Sequence, residues 1–326
     1  MYDFTILIAS GAYASSVATT LDMLTAAAKM APRVGAATPT WRVRSLAEGR
    51  TCLSNGLYID AKPLPKRVEA DSSIYVIPGL ATDSASAVDA RLSKPDALLA
   101  VKALKAHART GGTIAASCAG VFLLQAAGLL KDRKATTTWW LASHLQQAEP
   151  RCTVDANRMV IADGPIWTAG AAFAQTDLML QLLRMRFGAA LADAVSRVLL
   201  IDGRDAQAPF IVPAMLANGN DFIARLSQQI DGAFPNTLSI VDIAKKHRIS
   251  ERTLARRIKA ATGKSPSALI QFVRLKRARI LLETSRMSID QIAEHIGYSD
   301  ATALRRLMRK VFGTTPRQFR PSIHVG

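Results

Sequence analysis

A repeat near the C-terminus constrains this 326-residue chain more than any other feature. Leu238 to Lys259 reads LSIVDIAKKHRISERTLARRIK, and Met287 to Arg309 reads MSIDQIAEHIGYSDATALRRLMR. Ile243-Ala244 matches Ile292-Ala293, Ser250 matches Ser299, and Leu254-Ala255-Arg256-Arg257 is echoed by Ala303-Leu304-Arg305-Arg306. The offset is 49 residues at Ser250/Ser299 and at Arg256/Arg305; after one inserted residue it becomes 50, because Gly263 matches Gly313 and Pro266 matches Pro316. Each copy predicts a short helix with an apolar face (Ile240, Ile243 and Ala244 in the first). A tight connection follows, and then a serine that caps the next helix by accepting from its unpaired N–H groups. That is the pattern of a helix-turn-helix, with units at 238–259 and 287–310. The second helix of each unit turns Leu254 and Ile258, or Leu304 and Met308, inward. It leaves Arg252, Arg256 and Lys259, or Thr302, Arg305, Arg306 and Arg309, to face a groove. Between the units, Ser265-Pro266 opens a helix through Ala268, Leu269, Phe272, Leu275, Ala278 and Leu282 that sets the distance between the two readers.

Charge follows the repeat. From Asn236 to Gly326 there are 19 Lys or Arg against 6 Asp or Glu, whereas the other 235 residues carry 23 against 19. The excess of the whole chain, +17, therefore belongs mostly to one domain. A compact basic domain attracts polyanions, and phosphate neutralisation with counterion release dominates sequence-independent nucleic-acid binding. Outward arginines also suit phosphates and guanine edges. The length predicts two domains, each with its own core. No apolar stretch reaches the roughly 20 residues needed to cross a bilayer, and Met1 is not followed by a signal-peptide pattern, so a cytoplasmic protein without a membrane partner is expected. Cys52, Cys118 and Cys152 have neither disulfide-framework nor zinc-ligand spacing, and the five histidines are scattered, so neither a structural metal nor a cofactor is expected.

The first 200 residues alternate apolar runs with helical patterns. Phe4 to Ala9, Trp41 to Leu46, Ser73 to Ile77 and Thr113 to Ala116 read as strands, several fully buried. Pro95 to Thr110, with Leu98, Leu99, Val101 and Leu104, has the period of a covering helix. Such alternation predicts an α/β domain with a mostly parallel sheet sandwiched by helices. Ligands on these sheets bind at the carboxyl ends of the strands, where Ser117-Cys118-Ala119-Gly120 runs straight from a strand into a helix. This is the sequence of a nucleophile elbow, in which the helix dipole is expected to lower the thiol pKa. The competing reading is an inert buried cysteine packed as a small hydrophobe. Asp202 to Asn218, with Gly203, Pro209 and Pro213, reads as a linker; Asp221 to Ile230 reads as the first helix beyond it.

Asn220 to Arg320 resembles the AraC/XylS family of regulators. The residues that carry the likeness are Ile243-Ala244, Ser250, Arg252, Leu254 and Arg256-Arg257 in the first unit. In the second they are Ile292-Ala293, Gly297-Tyr298-Ser299, Arg305-Arg306, Phe312-Gly313, Pro316 and Phe319-Arg320. The resemblance implies double-stranded DNA as partner, with Arg252, Arg256, Thr302 and Arg306 at the base-facing positions. Ser250, Arg257, Lys259, Arg305 and Arg309 complete the candidate contact set. Activation is the commoner behaviour in that family, which would make RNA polymerase a further partner.

Residues 3 to 200 resemble the PfpI superfamily, related to class I glutamine amidotransferases, in the form fused to AraC domains in GlxA-like regulators. Ile77-Pro78-Gly79-Leu80, Ala116-Ser117-Cys118-Ala119-Gly120, Ala127-Gly128-Leu129-Leu130, Ala135-Thr136-Thr137-Thr138-Trp139 and Asp163 to Gly170 carry it. The implied fold is a flavodoxin-like parallel sheet sandwiched by helices (1–201), then a linker (202–218) and an all-α domain with two helix-turn-helix motifs (219–326). Enzymes of the superfamily place a histidine where this chain has Thr138, and an acidic residue near the end of the first strand, where Ser16 stands. The expectation is a catalytically inactive domain that binds an unidentified small molecule at Cys118, Ala119, Gly79, Ser16 and Thr138. An amine, an amino acid or a carboxylate is the candidate, an anion being suited by the Gly79 and Ala119 N–H groups. Domains of this type commonly dimerise, which predicts a homodimer. Two other readings stay open, a redox sensor built on Cys118 and an active cysteine hydrolase tethered to DNA.

Overall fold

The computed structural model describes residues 2–47, 49–65, 71–201, 204, 207 and 221–320. The chain divides into two units, Met1–Gln207 and Ala208–Gly326.

In the first unit the strands are β1 (Phe4–Ile8), β2 (Trp41–Ser45), β3 (Thr51–Cys52), β4 (Tyr58–Ile59), β5 (Ile74–Leu80), β6 (Ile114–Cys118), β7 (Lys134–Ala135), β8 (Thr153–Val154), β9 (Val160–Asp163) and β10 (Ile166–Ala169). Six of them form one sheet in the order β2-β1-β5-β6-β10-β9. Every neighbouring pair is parallel except β10 with β9. All residues of β1, β5 and β6 are buried, as parallel strands covered on both faces must be, while β2 at the edge is only half-buried. The covering helices are α1 (Ala14–Met30), α2 (Ala85–Leu92), α3 (Pro95–Arg109), α4 (Val121–Ala126), α5 (Ala142–Ala148), α6 (Ala174–Phe187) and α7 (Ala189–Val198).

The expected strands and their parallel arrangement are thus present. The apolar stripe of α3 differs from the expected one, because the helix buries Ala97, Ala100, Ala103, Leu104 and His107 and leaves Leu98 59% exposed. Small alanines let α3 lie close on the sheet; the leucines alone misplace its inward face by about one residue. Of the segment expected as a linker, Arg204 and Gln207 are described, and both are hydrogen-bonded to the first unit. The rest of that segment lies outside the described residues.

The second unit contains α8 (Asp221–Gly232), α9 (Ile240–Lys246), α10 (Glu251–Thr262), α11 (Pro266–Thr284), α12 (Ile289–His295) and α13 (Ala301–Phe312), then a 3-10 turn, Pro316–Phe319. The central helix α11 buries Leu269, Ile270, Phe272, Val273, Leu275, Ala278 and Leu282, and packs against α8, α10, α12 and α13. Ala268, expected on its apolar face, is exposed. At 19 residues α11 is about 28 Å long, a rigid spacer on the scale of one turn of duplex DNA. Arg320 ties the end of the domain back to the start of the second helix-turn-helix by donating to the Ser285 and Met287 carbonyls.

Helix caps place the two repeats in register and correct one detail. Ser239 and Ser288 cap α9 and α12, each in a reciprocal capping box with the residue three further on. Ser250 caps α10, accepting from the Thr253 N–H at 3.2 Å. The equivalent cap of α13 is Asp300, not the expected Ser299: Asp300 accepts from the Ala303 N–H at 2.8 Å, and Ser299 donates to Asp300. The inserted residue therefore lies in the turn before the second reader helix, and the offset is 50 along the whole of that helix. Serine and aspartate cap by the same hydrogen bond, so matching by identity pairs the wrong residues.

Candidate nucleic-acid interface and thiol elbow

Within each reader helix, period and capping decide which side chains face outward. Leu254 and Ile258 in α10, and Leu304, Met308 and Phe312 in α13, are buried against the domain core. Arg252, Arg256 and Lys259 lie four and three residues apart on the opposite face and are exposed. The register of 50 puts Thr302, Arg306 and Arg309 at the same places in α13, also exposed. Ser250 shapes the site by capping, since its hydroxyl is bonded to its own helix. Arg257 is exposed but stacks over the Phe222 ring of α8 at 5.5 Å, which turns it from the row formed by Arg252, Arg256 and Lys259. Arg305 is exposed next to Arg306 and adds charge beside the row rather than within it. The α8 contact was invisible in the repeat because Phe222 precedes both copies.

The turns of the two units differ in one respect. Arg248 adopts φ 53°, the left-handed conformation that its counterpart Gly297 takes at φ 80°. Left-handed backbone costs a residue with a Cβ about 1–2 kcal/mol, partly offset by the larger unfolded-state entropy of glycine. Arg248→Gly is expected to leave the full chain as stable or to raise its stability by up to about 1 kcal/mol. A clear fall in the denaturant midpoint would show that the arginine side chain holds the turn.

In the first unit, β6 runs into Cys118 at φ 51°, and α4 begins three residues later. Both backbone groups of this strained residue are tied down: its N–H donates to Gly170 O at 2.6 Å, and its carbonyl accepts from Thr137 Oγ1 at 2.7 Å. The expected companions are gathered here. A Cβ placed on Gly79 would fall 2.9 Å from Cys118 Cβ and 3.3 Å from Ser16 Oγ. Gly79 O accepts from the Tyr13 N–H, which leads α1 away and brings Ser16, 1% exposed, to the elbow. Ser16 Oγ donates to Ala172 O at 3.0 Å, so no acidic group stands in its place. Asp22 lies further along α1 and is exposed.

The thiol itself corrects an expectation. Cys118 is 0% exposed, and burial pushes its pKa up from 9.0 to about 12, against the lowering expected from a helix terminus. The Ala119 N–H and the Thr138 hydroxyl favour the thiolate but do not outweigh desolvation, and α4 has only six residues with which to build a dipole. Among the described residues no histidine completes a dyad: the His144 ring stacks on Phe122 at 5.4 Å, and its Nε2 meets Asp89 Oδ1 at 3.2 Å. Tyr13, which no motif singles out, also stands beside the elbow: its N–H donates to Gly79 O at 2.7 Å, and its pKa is raised by burial, then by Cys118 and Asp83. The buried Ser117 hydroxyl has no hydrogen-bond partner among the described residues. Cavities of about 700 Å³ beside Ser10, Arg91 and Lys94, and of about 520 Å³ beside Trp167 and Asp177, lie away from Cys118.

A thiol held protonated is a poor nucleophile. At pH 8 a rise from 9.0 to about 12 lowers the thiolate fraction about a thousandfold, so Cys118 should react with iodoacetamide far more slowly in the folded chain than after denaturation. The protonated thiol also contributes stability that is full below pH 9.0 and declines as pH rises toward about 12. Equal rates in folded and denatured protein would contradict an enclosed thiol.

Comparison with known proteins agrees with both halves. Residues 243–322 match the family model of a helix-turn-helix domain, and residues 70–185 match that of the DJ-1/PfpI family. The chain is 31% identical over 222 residues to the HTH-type transcriptional regulator ArgR of Pseudomonas aeruginosa, covering 67% of each protein. It is 28% identical over 288 residues to the HTH-type transcriptional regulator GlxA of Rhizobium meliloti, covering 86% of each. Among solved structures, Drosophila melanogaster DJ-1beta matches with a TM-score of 0.51 at 20% identity, over 62% of this chain and 100% of that one. An AraC family transcriptional regulator from Pseudomonas putida matches with a TM-score of 0.50 at 20% identity, over 61% and 100%. These likenesses confirm the fold of the first unit.

Proposed function

The chain belongs to the HTH-type transcriptional regulators that join a DJ-1/PfpI unit to an AraC-type helix-turn-helix unit, and from that premise we propose that a small molecule held near Cys118 controls its occupancy of DNA. One observation carries the reading: the elbow keeps a strained Cys118 at φ 51° while lacking the base, the acid and the ionised thiol that would use it. Backbone strain persists only where surrounding structure maintains it, and here chemistry is not the reason. What remains is a cluster of buried groups around Cys118, formed with Ala119, Gly79, Ser16 and Thr138, to which Ser117 and Tyr13 are added, and a ligand enters it by opening the packing. Control requires that the ligand bind two states of the protein with different affinity.

The protein is not an enzyme on this reading, and the protonated thiol weighs equally against hydrolysis and against peroxide sensing. It acts in the cytoplasm as a homodimer and as an activator, with RNA polymerase as a further partner. No helix among the described residues is long and apolar enough to cross a membrane. Exposed Phe173, Met185 and Val198 around α6 and α7 offer apolar surface for self-association.

Thermal shift of the full chain beside Cys118→Ala, against amines, amino acids and carboxylates, tests the proposal. A compound that raises Tm of the wild type and not of the variant supports a ligand at the elbow. Ligands that stabilise both proteins equally would move the effector site elsewhere. Hydrolysis lost in Cys118→Ala, or peroxide-dependent DNA affinity lost in it, would replace the reading with one of the thiol mechanisms.

A further inference from the structure

We propose that Gln207 is the residue through which the elbow holds, or releases, the chain that leads to the DNA-binding unit; this rests on the reading of the elbow as a regulatory site. Gln207 is a polar residue near the end of the first unit, yet it is only 2% exposed. Its side chain fills a socket on the sheet unit. Oε1 accepts from the Ala171 N–H at 3.0 Å, and Nε2 lies 3.0 Å from Thr137 O, 3.1 Å from Arg158 O, and 3.2 Å from both Ala156 O and Thr136 Oγ1. Its backbone N–H donates to Asn157 O at 2.8 Å. The amide NH₂ shares its two hydrogens among four acceptors while the amide oxygen takes the Ala171 N–H, so the socket matches both ends of a primary amide. The socket also requires a glycine, because a Cβ on Gly170 would fall 2.1 Å from Gln207 Cδ.

The residues that receive Gln207 are the same ones that pin Cys118. Gly170 O accepts from the Cys118 N–H, and the N–H of the same peptide group, on Ala171, donates to Gln207 Oε1. Thr137 Oγ1 donates to Cys118 O, and the carbonyl of that threonine accepts from Gln207 Nε2. Each backbone group of the elbow cysteine is thus one residue away from the Gln207 amide. Linked hydrogen bonds polarise and strengthen one another, so losing one weakens its neighbours. A change at Cys118 that rotates either group loosens the socket. Arg204 adds a second hold on the same strand of chain: its N–H donates to Asp177 Oδ1 at 2.7 Å, and its guanidinium reaches Asp177 Oδ2 at 2.6 Å, on a carboxylate 2% exposed. Residues 208–220 then connect Gln207 to α8.

Coupling of this kind is reciprocal, which gives a test that needs neither the effector nor an operator. In one direction, Gln207→Ala, which empties the socket, and Gly170→Ala, which fills it, are each expected to speed iodoacetamide alkylation of Cys118 in the folded full chain by about tenfold. In the other, wild-type protein alkylated at Cys118 should exchange amide hydrogens faster across residues 202–220 than unmodified protein, a readout that stands even if a variant folds poorly. Faster alkylation in both variants together with faster exchange establishes the connection. Unchanged alkylation in both variants, or unchanged exchange at 202–220 after alkylation, overturns it. A thermal-shift screen without a hit at the elbow would overturn the ligand reading alone and leave this result standing.

Discussion

Replacing Arg256 and Arg306 together by alanine is expected to weaken binding to a cognate duplex by about 2 to 6 kcal/mol, since both stand on the exposed row proposed to face bases, where one contact is worth about 1–3 kcal/mol. The two side chains stand on separate helices at equivalent places, four residues along from Arg252 and from Thr302, so their losses should add. Binding to random DNA should fall much less and mainly through a shallower salt dependence, because only two of many positive charges are removed. Arg257→Ala provides the contrast. Its guanidinium packs on Phe222, so its loss should cost fold stability more than sequence discrimination. Equal losses on cognate and random DNA after the Arg256 and Arg306 replacements would reduce both arginines to phosphate contacts.

The second large effect is expected from Gly297→Val, in the turn of the second helix-turn-helix. The backbone there has φ 80°, a conformation hostile to a β-branched residue, and a Cβ would fall 2.4 Å from Thr237 Cγ2. Strain of about 1–3 kcal/mol adds to an overpacking cost of similar size, so the second unit should lose about 2–6 kcal/mol of stability. Because Thr237 precedes the first reader while Gly297 lies in the second, the damage reaches the contact between the repeats as well as the turn. The predicted signature is a lower denaturant midpoint for the helical unit, with the α/β unit melting as in wild type. An unchanged midpoint would mean that the turn adjusts at little cost.

Those two predictions draw on different layers of legibility. The reader helices were readable from sequence because period, caps and charge all converge: Leu254/Ile258 and Leu304/Met308 fixed the inward face, and the outward arginines followed. What identity matching misplaced was the inserted residue, since Ser299 looks like Ser250 whereas Asp300 does its work. The parallel sheet was equally readable, because β1 and β6 are short apolar runs buried on both faces. The elbow was legible as a shape and not as an electrostatic state. Strand-to-helix continuity at Cys118 is local, but desolvation of the thiol depends on Leu80, Thr138 and the rest of the enclosure, which come from distant parts of the chain. Tyr13 and Gln207 were unreadable for the same reason: nothing in the flanking residues of either one announces a partner more than 100 residues away for Tyr13, or the Thr136–Thr137 socket for Gln207.

The central claim, one chain with two sequence readers on a rigid spacer, is tested most directly by selecting binding sites for the full protein from random duplex DNA. The account predicts enriched sequences in which the site of each protomer has two blocks about one helical turn, or roughly 34 Å, apart. Repeating the selection with Arg256→Ala should erase information in one block, and with Arg306→Ala in the other. Enrichment of a single block, or of none, or the same block weakened by both replacements, would contradict it.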